Sequence, residues 1–258
     1  MFFYPQRIVI MKIFPLSEGA FSIDSTKIFI PFNKKDEDIQ NRPVGSLLVE
    51  VQPFCVVTSK DILLFDTGLG FTNNDGVLQL HQNLLDNGIQ PGDVTKVLLS
   101  HLHKDHSGGV TMKDAATKQQ ILSFTNAVYY VFEKELDYGF EHNGKSYVAG
   151  DFSILKNAAN VVLLKEDTGT IDGYIQYALS GAHSKFHIVF WIDDGNQAIF
   201  FGGDEAPQLQ QMKNKFVAKY DFNGKKAMEL RQQWWKEGTE KHWTFLFYHD
   251  IKTPYITL

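Results

Sequence analysis

Cysteine is nearly missing from these 258 residues: Cys55 stands alone, inside the apolar run PFCVVTS, so no disulfide can form within the chain. A single thiol fits a reducing compartment, and the reading is cytoplasmic. Long apolar runs are missing as well, and nothing approaches an uninterrupted membrane span. The opening MFFYPQRIVIMKIF is broken by Pro5, Gln6, Arg7 and Lys12. It has no basic segment ahead of a clean apolar one, so it does not read as a signal peptide. Met11 is an alternative start, since KIFPLSEGAFSI already reads as a first strand and turn. Positive charge is in deficit, 25 Lys and Arg against 30 Asp and Glu for a net charge of −5. That argues against a nucleic-acid surface. The densest charge run, NKKDEDIQ (33–40), mixes both signs and reads as a solvated loop. Linkers rich in Pro or Ser, low-complexity tracts and repeats are also lacking, which leaves one domain over residues 1–258.

What is present is apolar residue at 43%, enough for a full-sized core. It comes in short runs of strand length punctuated by Gly, Asn, Asp or Pro. These are SLLVEV (46–51), FCVVTS (54–59), ILLFD (62–66), KVLLS (96–100), AVYYVF (127–132), YIQYAL (174–179), HIVFWI (187–192), QAIFFG (197–202) and TFLFY (244–248). Asp194-Gly195 between two of them is a hairpin signal. Helical spacing appears in DGVLQLHQNLLDNG (75–88), through Leu78, Leu84 and Leu85 with a stop at Gly88. It appears again in GKKAMELRQQWWKEG (224–238), through Ala227, Leu230 and Trp234 with a stop at Gly238. A third helix is expected after Gly109, through MKDAATKQQILSF. Residues 133–160 look least regular, and their Tyr138, Phe140, Tyr147 and Phe152 read as packed core ahead of a substrate lid. Strands interleaved with helices give an α/β fold, sheets covered by helices.

The chemistry concentrates in SHLHKDHSGG (100–109), where KVLLS runs into a turn at the carboxyl edge of a strand. His101 and His103 are two apart, so an extended backbone turns both toward one metal. Asp105 and His106 follow after the chain turns and suit a second metal. Ser107-Gly108-Gly109 then permits tight geometry and a helix start. Imidazole with carboxylate suits zinc, with manganese, iron or cobalt as substitutes. The plain alternative, a histidine-rich surface turn, fits poorly with four such residues directly after an apolar strand.

HLHKDH resembles the His-x-His-x-Asp-His signature of the metallo-β-lactamase superfamily, and other stations along the chain agree in order. ILLFDTG resembles its apolar strand followed by an Asp-Thr-Gly turn, here Asp66, Thr67 and Gly68. GAHSKFH resembles Gly-His-Thr-x-Gly-His, FFGGD the segment with the metal-bridging aspartate, and FYHD the segment with the last histidine. The resemblance runs from Asp66 to Asp250. It implies a four-layer αββα sandwich and two divalent metal ions. His101, His103 and His183 would hold one, Asp105, His106 and His249 the other, and Asp204 would bridge them. Metals about 3.5–4 Å apart share a water and bring its pKa toward neutrality. Asp105 would move a proton beside that water, so Asp105 and Asp204 are the catalytic candidates. Asp66 would orient a ligand imidazole or simply form its turn. His187 would support the fold without ligating. His81, His142 and His242 lie in no motif and read as ordinary polar residues.

Among the branches of that superfamily, the pattern is most similar to the N-acyl-homoserine lactone lactonase group. Cysteine-ligand β-lactamases would need Cys where Asp204 stands. Diiron flavoproteins would carry a flavodoxin domain, glyoxalase II a helical extension after His249, and RNA-processing members added domains and a basic surface. A small-molecule lactone or other carboxylic ester is therefore the expected substrate, with nucleic acid and membrane excluded and a homodimer left open. Three departures from the lactonase pattern involve four positions. Ala182 and Phe186 replace the two glycines of Gly-His-Thr-x-Gly-His. Pro207 stands where lactonases carry a carbonyl-polarising Tyr, and Lys104 sits between His103 and Asp105. Phosphotriester hydrolysis is the runner-up, followed by a metal-binding redox enzyme and a non-catalytic metal-binding protein. Tyr248 is a candidate hydrogen-bond donor to substrate, although a strand Tyr in TFLFY reads first as core.

Overall fold

The computed structural model describes residues 11–258, so the expectations attached to the first ten residues lie outside it. Two six-stranded sheets carry the fold. The first runs, in both chain and spatial order, through β1 (Lys12–Pro15), β2 (Phe54–Val57), β3 (Ile62–Phe65), β4 (Lys96–Leu98), β5 (Val128–Phe132) and β6 (Val161–Leu164). The second runs through β7 (Thr168–Ile171), β8 (Ile175–Leu179), β9 (Ile188–Asp193), β10 (Ala198–Phe201), β11 (Thr244–Leu246) and β12 (Tyr255–Thr257). A three-stranded sheet (Gly19–Ile23, Phe29–Pro31, Leu47–Val51) flanks them. The helices are α1 (Gln79–Asp86), α2 (Lys104–Ser107), α3 (Glu133–Glu141), α4 (Ala149–Phe152), α5 (Leu209–Lys213) and α6 (Gly224–Lys241).

Side chains alternate across each strand, and this sorts the apolar residues into layers. In β9, Ile188, Phe190 and Ile192 point between the sheets, where they meet Val56, Leu63, Phe65 and Leu98 of the first sheet. Phe65 and Phe201 touch across the interface with ring centroids 4.9 Å apart. The other face of the first sheet, with Leu64, Val97, Tyr129 and Val131, is covered by Leu80 and Leu84 of α1, Leu136 of α3 and Phe152 of α4. The other face of the second, with Val189, Phe200 and Phe245, is covered by Met212 of α5 and by Leu230 and Trp234 of α6. The result is the expected αββα order of four layers. Each fully buried Phe in it contributes on the order of 2 kcal/mol of apolar transfer. Among the described residues, no helix is long and apolar enough to cross a membrane.

Strand direction decides where the polar residues collect. β3, β4, β5 and β6 are mutually parallel, and so are β10 and β11; the remaining neighbours in the two large sheets are antiparallel. Segments leaving the carboxyl ends of β3, β4, β10 and β11 carry Asp66, the His101–His106 turn, Asp204 and His249. The two sheets are pinned together there by the Ile188 amide donating to the Ser100 carbonyl at 2.9 Å.

Several local expectations need correction. The helix expected through MKDAATKQQILSF is a hairpin, Thr111–Lys113 against Gln120–Leu122. Asp114 accepts from the Thr117 amide and hydroxyl, both at 2.7 Å, and Lys118 turns to a φ of 59°. That side-chain turn competes with the helix. Ser107 ends the short helix α2, and the helix start expected at Gly108-Gly109 amounts to a single 3-10 turn, Gly108–Val110. α1 begins only at Gln79, because the Asn73 side chain holds the amides of Asp75 and Val77 in a turn, and Leu85 faces outward. Gly238 does not stop α6, which runs on to Lys241 and closes on left-handed His242; a Cβ at Gly238 would lie 2.4 Å from the Phe245 ring. Residues 133–160 are largely helical, not irregular, and Tyr147 and Phe152 there are buried, as the core reading expected.

Candidate metal centre

The site is built outward from Asp66. β3 ends there in a left-handed turn, φ 55°, that aims the carboxylate under the His101–His106 segment. One oxygen accepts from the Ser100 amide at 2.7 Å. The other accepts from the Ser100 hydroxyl and from His106 Nδ1, each at 2.7 Å. Thr67 reinforces the join, its amide (2.7 Å) and hydroxyl (2.9 Å) both donating to the His106 carbonyl. Gly109 lets the two turns touch, since a Cβ there would lie 2.1 Å from the Thr67 carbonyl oxygen.

Each outer imidazole nitrogen that finds a partner fixes where the inner one points. His101 Nδ1 donates to the Ser100 hydroxyl (3.1 Å), which in turn donates to Asp66. His249 Nδ1 donates to the Glu50 carbonyl at 2.6 Å, and His183 Nδ1 donates to Asp221 at 2.9 Å. The inner nitrogens then converge. His103 Nδ1 lies 3.0 Å from His101 Nε2 and 3.2 Å from His183 Nε2. Asp204 reaches them from a tight turn after β10, where Gly203 takes φ 49°. Its Oδ2 is 3.1 Å from His183 Nε2, while its Oδ1 is 3.1 Å from His106 Nε2 and 2.9 Å from His249 Nε2. Asp105 Oδ2 completes that side, 3.4 Å from His249 Nε2.

All seven residues singled out in the sequence therefore meet at one place. Two groups of donor atoms have metal-holding spacing, His101, His103, His183 and Asp204 in one, Asp105, His106 and His249 in the other. Asp204 faces both. Asp66 also falls within such spacing of His101 and His106, although its oxygens are already taken. Electrostatics agree with a cation between the groups. Burial and neighbouring imidazoles hold His101 and His103 well below the ordinary histidine range. Burial also opposes charge on His106, His183 and His249, yet Asp204 and its neighbours outweigh it and raise all three. Asp204, buried as it is, is pulled well below the usual carboxylate range by His249, His106 and His183. His106 Nε2 and Asp204 Oδ1 are both buried and make no hydrogen bond. Buried polar atoms are normally paired, and a divalent ion with imidazole and carboxylate donors would satisfy both.

The other histidines stand apart. His187 is fully buried but turns Nε2 away to accept the Asp204 amide at 3.2 Å, with Nδ1 against Ser180 Oγ, in line with the support role expected of it. His81 packs on Phe124, His142 stacks on Tyr138, and His242 caps α6. The Tyr248 hydroxyl donates to the Asp105 carbonyl at 2.6 Å and its ring stacks on His106, so it is core and not a donor to substrate. Lys104 donates to the Lys27 carbonyl.

Four acidic residues around the site were not picked out in the sequence. Asp221 holds His183. Glu205 accepts from the amides of Ala182 and His183 (2.8 Å each) and from Ser180 Oγ (2.9 Å). Glu135 of α3 accepts from the Leu102 amide (3.0 Å) and the Tyr147 hydroxyl (2.9 Å), its carboxyl pushed up to about 7 by burial. Glu18, also raised to about 7 by burial, accepts from the Leu69 amide just past the Asp66 turn. None has a motif around it; adjacency of Glu205 to Asp204 was the one available signal.

A family model, the metallo-beta-lactamase superfamily, matches residues 49–253. The chain belongs to the metallo-beta-lactamase superfamily. No protein among those with curated descriptions matches it. Solved superfamily structures share its fold at low identity. A probable metal-dependent hydrolase from Staphylococcus aureus is 20% identical with a TM-score of 0.76, over 96% of this chain and 92% of that one. AidC, a dizinc quorum-quenching lactonase with a product bound, is 17% identical with a TM-score of 0.71, over 95% and 89%. An N-acyl homoserine lactone hydrolase with N-hexanoyl-L-homoserine at its catalytic metal centre is 17% identical with a TM-score of 0.65, over 94% and 93%. Superfamily membership and a His/Asp cluster placed to bind metal support a metal-dependent hydrolase.

Proposed function

We propose that the chain is a dinuclear metal-dependent hydrolase, acting as one domain on a small-molecule lactone or other carboxylic ester. The observation that carries this reading is Asp204, whose two carboxylate oxygens face different groups of imidazoles. In this reading His101, His103 and His183 hold one divalent ion, Asp105, His106 and His249 hold the second, and Asp204 spans both. Zinc suits the donor set first, with manganese, iron or cobalt as alternatives. The metals would supply an activated water and a Lewis acid for the carbonyl oxygen.

The chain's own residues do the rest. Asp66, Ser100 and the Glu50 carbonyl keep the outer nitrogens of His106, His101 and His249 protonated, so that their inner lone pairs stay free. His187 fixes the Asp204 backbone and so the height of the shared carboxylate. Asp105 Oδ2 stands beside His249 without a covering hydroxyl, placed to take a proton from the attacking water and return it to the leaving alkoxide. Pro207 offers no hydroxyl, and that of Tyr248 is spent on a backbone carbonyl. With neither residue offering a hydroxyl to the ester carbonyl, bound metals would supply its polarisation, and phosphotriester hydrolysis stands as a second reading.

The test is ring opening of an N-acyl-homoserine lactone by zinc-reconstituted protein, followed by proton release against a chelated control. Metal-dependent turnover supports the lactone reading. Fully loaded protein that opens no lactone yet hydrolyses phosphotriesters would transfer the site to the second reading.

A further inference from the structure

We propose that Asp221 and Arg231 form a positioning pair that sets the orientation of His183 and, through it, the affinity of one of the two metal positions. This rests on the metal-dependent reading above. The outer nitrogens of the imidazoles are held in chemically different ways. His249 is held by a neutral backbone carbonyl and His101 by a hydroxyl, whereas His106 and His183 are each held by a buried carboxylate, Asp66 and Asp221. Each group of donor atoms thus contains one carboxylate-held histidine. A carboxylate that accepts from the outer nitrogen makes the inner one a stronger donor and locks the ring plane.

Asp66 belongs to a recognisable turn, but Asp221 comes from the segment between α5 and α6, far from any motif. Its position is nonetheless tightly specified. The Phe222 amide donates to the His183 carbonyl at 2.9 Å and the Asn223 amide to the Ala182 carbonyl at 2.7 Å, so this strap runs along the His183 loop as a short ladder. Both the Asp221 and Arg231 side chains are only 1% exposed, and Arg231 Nη1 lies 4.0 Å from Asp221 Oδ2. A carboxylate that deep needs a countercharge, and this guanidinium is the cation facing it. Arg231 has a second task. Its Nη1 donates to the Glu205 carbonyl at 3.0 Å and its Nη2 to the Phe216 carbonyl at 2.8 Å. One guanidinium on α6 therefore grips both the turn that carries Asp204 and the strap that carries Asp221. His183 and Asp204, whose facing atoms are 3.1 Å apart, are set from a common point.

The test uses the full-length protein, with zinc affinities measured by competition against a chromophoric chelator. Wild type, Asp221→Asn and Asp221→Ala are compared, with the His183 ring N–H followed by nitrogen-edited NMR. Asp221→Asn keeps an acceptor and loses the charge; it should weaken one zinc about 10-fold, and Asp221→Ala about 100-fold, while the other zinc is unchanged. The His183 N–H signal should move in the first variant and exchange away in the second. A merely structural pair would lower the melting temperature of the metal-free protein and leave both zinc affinities as in wild type, and that result overturns the proposal. Wild-type protein that binds no zinc would bring down the metal-dependent reading itself, and this inference with it.

Discussion

Replacing His187 by Ala separates support from ligation at this site. The imidazole is fully buried, accepts the Asp204 amide through Nε2 and therefore carries its proton on Nδ1, where it donates to Ser180 Oγ. Burial and the neighbouring His183 hold its pKa well below the ordinary range, so it stays neutral and adds no charge to the cluster. Truncation opens a cavity and leaves the Asp204 amide without an acceptor. Together these are expected to cost about 4 kcal/mol. Against a typical stability of about 5–15 kcal/mol the chain still folds, with a melting temperature lower by roughly 10 °C. Differential scanning calorimetry of metal-loaded wild type and variant reads the shift, and metal analysis reads the zinc content, which should stay near the wild-type value. An unchanged melting temperature with selective loss of one zinc would refute the reasoning, because His187 would then be a ligand and not a support.

Two other outcomes follow from the geometry. Gly203→Ala forces a Cβ to within 2.7 Å of Ser100 Oγ and 2.8 Å of His187 Nε2 at a φ of 49°. It should destabilise the protein by about 3 kcal/mol in a urea titration, and a change below about 1 kcal/mol would mean the turn can relax away. Zinc affinity should fall as pH is lowered from about 8 to 5, because His106, His183 and His249 are raised and zinc must displace their protons. In the metal-free fold the contribution of these three raised histidines takes the opposite sign: their pairing with Asp204 is complete below the unfolded histidine pKa and is lost as pH rises through the raised values. Isothermal titration across that window checks both the direction and the release of protons, and a pH-independent affinity would contradict it.

The parts of the site legible in the sequence share one property. His101, His103, Asp105 and His106 occupy a single turn after an apolar strand, so their proximity is guaranteed by covalent connectivity. Asp66, Asp204 and His249 likewise follow apolar runs, and the carboxyl ends of parallel strands are where open α/β sheets gather their functional groups. HIVFWI and the apolar runs like it are enough to indicate strands in sheets covered by helices, while the two-sheet αββα order follows from the superfamily resemblance. Illegible residues owe their place to packing between distant segments. Asp221 meets His183 only because α6 lies across the second sheet, and Glu135 reaches Leu102 only because α3 lies across the first. The hairpin at 111–122 is hidden in the sequence because Ala115, Ala116 and Lys118 favour helix by propensity, whereas the Asp114 side chain rewards a turn. Gly238 resembles a stop in the sequence because spacing cannot distinguish a helix end from a close approach to Phe245.

The most direct test of a shared dinuclear site is the number of zinc ions retained per chain by wild type and by Asp204→Asn after reconstitution and gel filtration. Two per chain in wild type, with sharply reduced occupancy and loss of metal-dependent hydrolysis in the variant, is the result that Asp204's position predicts. An Asp204→Asn protein that keeps both ions and full activity would contradict the bridge.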